Sequence, residues 1–224
     1  MKALIFDSGA LINLSMNGLL YILENLKKNF DGKFLITSAV KREVIDRPIG
    51  VMRFELGALR IKKLLDERIL EAPTSFGISE EKIKLESNEL MDLANHFIQV
   101  KGHWVNLVSE AEMSCLALSD ELSKLSIKNM IALDERTTRV LCENPEGLEK
   151  LMENKLHQRV NLVMDDVSLF SKYKFIRSSE LAFVAYKKGL INLQGERVLE
   201  ALLYATKFNG SSISFEEINI LKKL

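Results

Sequence analysis

Two aspartates directly follow strand-like apolar runs in this chain. Asp7 comes after the run Ala-Leu-Ile-Phe, and Asp134 comes after the run Met-Ile-Ala-Leu. In an open parallel sheet, residues just past the carboxyl ends of the strands line the crevice where ligands bind. If these two strands are neighbours, both carboxylates are expected to face one cleft.

Three further acids lie near predicted helix starts. Glu43 falls in the second turn of a helix that begins at Thr37-Ser38, and Glu110 and Glu112 fall in the first turn of a helix that Ser109 opens. Several carboxylates together suit Mg²⁺ or Mn²⁺ rather than Zn²⁺. Such an ion lowers the pKa of water and stabilises charge on a phosphodiester, so the chemistry needs no histidine base.

Each of these acids also has a purely structural interpretation. Asp7 precedes Ser-Gly and would then serve as a turn and helix cap, and Asp134 would cap a helix that starts near Arg136. Glu43 would be one exposed acid on a charged helix face. Glu112 would close a capping box with Ser109.

Glu110 and Glu112 point in different directions on a helix. At about 100° per residue they are roughly 200° apart, so one of them is expected to enter the cleft. We favour Glu110, since the capping box already accounts for Glu112.

The elements that must position these acids alternate along the chain. Alternating strands and helices predict an α/β domain with a mainly parallel sheet. Strands are expected at 2–6, 33–36, 68–71, 129–133 and 160–164, and helices at 10–28, 37–47, 51–66, 80–97, 109–125, 146–157, 179–188, 196–208 and 214–224.

Composition narrows the class of protein. The chain has 224 residues, is 47% hydrophobic and has a net charge of zero, which argues against tight non-specific DNA binding. It holds no apolar run long enough to span a membrane, so a cytoplasmic location without membrane partners is expected. Cys115 is expected in the core, and the two cysteines lack metal-type spacing. Trp104 is expected to cover the core rather than to stack on a base.

Four motifs, taken in order, resemble the PIN-domain nuclease family. They are Phe6-Asp-Ser-Gly-Ala-Leu-Ile12, Thr37-Ser-Ala-Val-Lys-Arg-Glu43, Ser109-Glu-Ala-Glu112 and Ala132-Leu-Asp-Glu-Arg136. The chain is most similar to the archaeal and bacterial branch with a Gly-Glu-Ala-Glu helix start. The resemblance implies a three-layer α/β/α sandwich of strand order 3-2-1-4-5, with a nuclease domain at 1–177 and a packed C-terminal helical extension at 178–224.

The resemblance also implies a site. Asp7, Glu43, Asp134 and either Glu110 or Glu112 would bind one or two Mg²⁺ or Mn²⁺ ions, with Ser8 and Glu135 in support. The implied substrate is RNA, and the implied partners are a second copy of the chain and, in a toxin-like role, an antitoxin or another protein.

Two function classes follow as hypotheses. The first is a divalent-metal-dependent endoribonuclease that leaves a 5′-phosphate and a 3′-hydroxyl, in RNA processing or as a toxin. The alternative is a catalytically inactive PIN-like module that binds RNA or a protein partner. A phosphatase of the haloacid-dehalogenase type is excluded, because its nucleophile loop needs a second aspartate where this chain has Gly9.

Overall fold

The computed structural model describes residues 1–163 and 168–224. Its strands are β1 (Lys2–Phe6), β2 (Gly32–Leu35), β3 (Leu70–Glu71), β4 (Ile98–Val100), β5 (His103–Trp104), β6 (Lys128–Ala132), β7 (Asn161–Leu162) and β8 (Phe175–Ile176). Five of them form a parallel sheet in the order β3-β2-β1-β6-β8. Counted within this sheet the order is 3-2-1-4-5, which confirms the predicted topology.

Helices cover both faces of the sheet. They are α1 (Ser8–Met16), α2 (Tyr21–Lys28), α3 (Ser38–Lys41), α4 (Glu55–Asp66), α5 (Glu80–Asn95), α6 (Glu110–Lys124), α7 (Arg136–Glu143), α8 (Leu148–Leu156), α9 (Ser178–Lys187), α10 (Val198–Phe208) and α11 (Phe215–Leu221). On one face α6 packs on β1 and β6, with α5 alongside it; on the other, α2 packs on β2, and α9 contacts both α1 and α2. The predicted α/β/α sandwich is therefore confirmed.

The two central strands bring the first and last predicted motifs together. β1 and β6 pair in parallel with Phe6 opposite Ala132, and the backbone N–H of Asp7 donates to the carbonyl of Ala132 at 3.0 Å. Both strands are buried at their carboxyl halves because helices cover both faces. Their ends therefore place Asp7 and Asp134 at the same edge of the sheet.

The helix expected at 10–28 is two helices. α1 ends at Met16 and α2 begins at Tyr21, and between them Gly18 adopts a left-handed φ of 66°. Glycine pays no Cβ penalty in that conformation, so it ends the first helix cheaply. The helix expected at 51–66 begins later, at Glu55.

The expected strand at 160–164 is not part of the main sheet. Asn161–Leu162 pairs antiparallel with β4, and Met164 lies outside the described residues. The fifth strand of the sheet is instead β8, which was not predicted, and it pairs with β6. Two residues between polar neighbours give no apolar run from which a strand would be recognised.

A second, smaller sheet was also not predicted. β5, β4 and β7 form three antiparallel strands in that order. Trp104 lies on the outer strand β5 with 43% of its surface exposed. The expectation that Trp104 covers the core is therefore wrong, whereas Cys115 is fully buried as expected.

The C-terminal helices are tied to the sheet domain by packing and by charge. α10 packs on α9, which packs on α1. Buried Arg177, at the start of α9, forms ion pairs with Glu180 at 2.8 Å and with Glu217 of α11 at 2.7 Å. In the described ranges there is no helix with the length and apolar character needed to cross a membrane.

Candidate functional site

Asp7 is a buried carboxylate at the carboxyl end of β1. Its oxygen Oδ2 accepts the backbone N–H of Gly9 at 3.0 Å, so it also caps α1, and only 2% of the residue is exposed. Burial, together with the charges of Glu112 and Glu43, raises the pKa of Asp7 to about 7. Asp7 is thus both the predicted cap and a carboxylate held among other acids.

Glu43 reaches Asp7 through Ser8. The Ser8 hydroxyl donates to Glu43 Oε2 at 2.7 Å and lies 3.4 Å from Asp7 Oδ1. Glu43 is carried by a π-helical turn, Arg42–Asp46, that continues α3, whose N-cap is Thr37 as predicted. The extra residue in a π-turn rotates the following side chains, and such turns are frequent at functional sites.

The charge of Glu112, and not that of Glu110, is among those that raise the pKa of Asp7. Glu112 closes the predicted capping box by accepting the Ser109 N–H at 3.2 Å, and it also accepts the Thr138 hydroxyl at 2.6 Å. Burial raises its pKa, and its charge acts on Asp7. The capping role therefore places the carboxylate beside the site rather than removing it.

Glu110 points away toward Arg42. Its Oε1 lies 2.9 Å from Arg42 Nη2, and 36% of its side chain is exposed. The expected choice of Glu110 over Glu112 does not fit this placement, so Glu112 replaces Glu110 among the carboxylates grouped with Asp7.

Asp134 lies next to Asp7, across Gly9. A methyl group on Gly9 would lie 3.2 Å from Asp7 Oδ2 and 3.9 Å from Asp134 Cβ. The carboxylate itself turns toward the C-terminal helices: Oδ1 accepts the Ser178 N–H at 2.8 Å, and Oδ2 accepts the Ser178 hydroxyl at 2.6 Å and Asn13 Nδ2 at 3.0 Å. Burial raises the pKa of Asp134, and the Ser178 contacts oppose that rise.

Asp134 does not cap α7, the helix that starts at Arg136. Glu135 does so, because its Oε2 accepts the Thr138 N–H at 2.8 Å. Glu135 also lies 3.8 Å from Lys155 Nζ and adds to the charge that raises the pKa of Glu112. Glu135 is therefore the cap of α7 and a neighbour of Glu112.

Asp134→Asn is expected to destabilise the fold by about 1–3 kcal/mol, the cost of unsatisfied buried groups. One oxygen of Asp134 accepts the Ser178 N–H, and the other accepts the Asn13 amide N–H; neither donor can act as an acceptor. In Asp134→Asn the new NH₂ group would therefore lie against one of these donors, whichever way the amide is turned. Urea unfolding measures the change. Exposed Asp66, on α4, is the matched control, and Asp66→Asn should stay within about 0.5 kcal/mol. Equal stabilities for the two variants would contradict this role of Asp134.

Asp7, Glu43 and Glu112, which we call the acidic triad, have no cationic partner in the described chain. Across residues 1–163 and 168–224, no lysine, arginine or histidine forms an ion pair with any of the three, or with Asp134. Buried carboxylates without a countercharge are costly, and a bound cation relieves that cost. Their oxygen donors are those that Mg²⁺ and Mn²⁺ prefer.

The acidic triad is not arranged as a finished metal site. Within the described ranges, no three His, Cys, Asp or Glu side chains are placed to hold one ion together. Glu43 would have to exchange its hydrogen bond from Ser8, and Glu112 its hydrogen bond from Thr138, for contacts with the ion. The donor chemistry fits a divalent cation, and the side chains need to rotate to reach it.

A largely apolar cavity lies elsewhere in the described structure. About 320 Å³ in volume, it opens near the amino ends of β1 and β6, away from the acids, and it is lined by carbon atoms of residues such as Leu4, Phe34 and Leu181. It carries no acid and does not suit a cation.

Two residues that donate hydrogen bonds to Asp134 were not predicted from the sequence. Asn13 is fully buried on α1, and its Nδ2 also donates to the Thr206 carbonyl of α10 at 2.8 Å. Ser178 holds Asp134 from the start of α9. A polar residue at an apolar helix position was the signal for Asn13; nothing local marks Ser178.

Comparisons with protein-family models, curated proteins and solved structures found no match to this chain.

Proposed function

We propose that this chain is a divalent-metal-dependent endoribonuclease of the PIN-like type. The observation that carries the proposal is the acidic triad: three carboxylates from β1–α1, the π-turn and α6 influence one another near the carboxyl edge of the sheet, and no cation within residues 1–163 and 168–224 forms an ion pair with any of them. The order of the four motifs and the strand order 3-2-1-4-5 support the same conclusion.

Within this proposal each residue has a role. Asp7 and Glu43 hold one Mg²⁺ or Mn²⁺, and Glu112 completes the acidic surroundings from α6. Ser8 would orient Glu43 toward Asp7, because its hydroxyl donates to Glu43 and lies beside Asp7. Asp134 acts as a positioning residue, since its contacts with Ser178 and Asn13 fix the edge of the sheet next to Asp7. When bound, the cation supplies a lowered pKa for water and a countercharge for the phosphodiester.

The alternative is an inactive PIN-like module that binds RNA or a protein. Two observations favour it: the acidic triad is not arranged around one point, and the carboxylate of Asp134 is fully occupied by hydrogen bonds. A nuclease needs the cation, whereas a binding module does not.

The test is cleavage of a 5′-labelled single-stranded RNA by the full chain, with Mn²⁺ and with EDTA. The proposal expects products that carry 5′-phosphate and 3′-hydroxyl ends with Mn²⁺ and none with EDTA. Cleavage that persists in EDTA, or cyclic-phosphate ends, would point to chemistry without a metal and would refute the proposal.

A further inference from the structure

Strands β4 and β5 form a hairpin between α5 and α6, and α6 is the helix that carries Glu112. The hairpin's turn residues Lys101 and Gly102 have φ of 51° and 81°, the geometry of a tight two-residue hairpin turn. At its base, Asn95 Oδ1 accepts the N–H groups of Leu107 and Val108 at 2.7 and 3.3 Å. The next residue, Ser109, caps α6, so the hairpin is fixed beside the helix start that carries Glu112.

Three side chains form a row across the small sheet. Gln99 on the central strand β4 lies opposite Trp104 on one side and opposite Asn161 on the other. Residues directly opposite each other in antiparallel strands project from the same face. Ile98, the neighbour of Gln99 in β4, is fully buried on the other face, so the row of Trp104, Gln99 and Asn161 faces solvent.

The row is held in place but has unused binding capacity. The Trp104 ring packs edge-to-face with His96 at 4.9 Å between centroids, and His96 Nδ1 lies 2.7 Å from the Asp92 carbonyl at the end of α5. Among the described residues, neither Gln99 nor Asn161 makes a side-chain hydrogen bond. A fixed, exposed indole beside two free amides is chemistry for recognition rather than for folding.

The ligand that matches this chemistry is an unpaired nucleobase. Single-stranded RNA is recognised by stacking bases on aromatic side chains and by hydrogen bonds to the base edges, which amides both donate and accept. Exposed Lys101 in the turn and Arg159, two residues before Asn161, provide cations for the flanking phosphates. A base inside a duplex has its faces stacked and its Watson–Crick edge paired, so it cannot stack on this row.

We propose that Trp104, Gln99 and Asn161, the base platform, bind an unpaired base of single-stranded RNA next to the acidic triad. The hairpin directly precedes α6, the helix that carries Glu112. A role of the platform in positioning RNA for cleavage therefore rests on the proposed nuclease function. The binding itself does not depend on cleavage, so the two proposals are separable.

The test uses the intrinsic fluorescence of Trp104, which is the sole tryptophan of the chain. The full chain in EDTA is titrated with a 12-nucleotide single-stranded RNA and, separately, with a duplex of the same length. Saturable quenching by the single strand and little change with the duplex are expected. Equal quenching by the single strand and the duplex would overturn the base platform. So would single-strand binding that is seen by fluorescence polarisation of labelled RNA but leaves Trp104 emission unchanged, and so would a failure of the single strand to bind.

Substitutions check that the signal reports contact. The affinity of each variant for labelled single-stranded RNA is measured by fluorescence polarisation. Trp104→Ala is expected to weaken binding by about 10- to 100-fold, a typical loss for one stacked base, and Trp104→Phe is expected to retain most of the affinity. Phe208→Ala, at a 75% exposed aromatic on α10, is the matched control and should leave affinity unchanged. Equal losses for Trp104→Ala and Phe208→Ala would contradict the platform. Quenching of Trp104 without any Mn²⁺-dependent cleavage would support the base platform and contradict the nuclease proposal. Mn²⁺-dependent cleavage without quenching would contradict only the base platform.

Discussion

Asp7→Asn is expected to leave the chain folded and to reduce Mn²⁺-dependent cleavage of single-stranded RNA by at least about 10³-fold. The amide keeps an oxygen for the Gly9 N–H but removes the charge that holds the cation, and the cation provides several kcal/mol of transition-state stabilisation at about 1.4 kcal/mol per tenfold in rate. Initial rates on labelled RNA measure the loss, and circular dichroism checks the fold.

Two matched changes on α6 give this result its specificity. Glu112→Gln is expected to lower the cleavage rate strongly, because it removes one of the three negative charges proposed to surround the cation. Glu110→Gln should stay within about twofold of wild type, because Glu110 pairs with Arg42 at a surface site. Undiminished cleavage by Asp7→Asn, or equal losses for the two glutamine variants, would contradict the site as assigned.

The second large effect is on stability without a metal. In EDTA, the stability of wild type relative to Asp7→Asn is expected to fall by roughly 3 kcal/mol between pH 5 and pH 8, at about 1.36 kcal/mol per pH unit within the titration window. The Asp7 pKa is about 7 in the folded chain, against an ordinary value of 3.8. Between these values the folded state keeps a proton that the unfolded state has lost, so stability falls as pH rises and levels off above the folded pKa.

Urea unfolding of both proteins at several pH values measures this difference. Glu112 and Asp134 also have raised pKa values, but they are present in both proteins, so the comparison isolates Asp7. Parallel stability curves for the two proteins would show that the Asp7 carboxylate is not strained by burial and neighbouring charge.

Much of the fold could be predicted from the sequence because the central strands are continuous apolar runs. β1, β2 and β6 are buried at the carboxyl end of each run, where an acid or a threonine follows. Helix starts were also marked, since Thr37, Ser109 and Ser214 accept the N–H groups that the sequence predicted. β8 and the β4–β5 hairpin were missed, because they are short and the hairpin turn puts Lys101 rather than a second glycine at a left-handed position.

Only part of the candidate site could be predicted from the sequence. That Asp7 and Asp134 end neighbouring strands followed from the motif order, but the direction of each carboxylate did not. Asp134 is turned by Ser178, 44 residues further along the chain, and the sequence holds no local signal for such a contact. The capping role of Glu112 was taken as a reason to favour Glu110, yet the capping glutamate is the one whose charge raises the pKa of Asp7.

The most direct test of the acidic triad is a calorimetric titration of the full chain with Mn²⁺ at pH 8, where Asp7 is ionised. Wild type and Glu110→Gln are expected to bind the ion with similar affinity, and Asp7→Asn is expected to bind it at least about tenfold more weakly, a difference of about 1.4 kcal/mol or more. Wild type that takes up no Mn²⁺, or Asp7→Asn that binds it as tightly as wild type, would contradict a cation site built on these carboxylates.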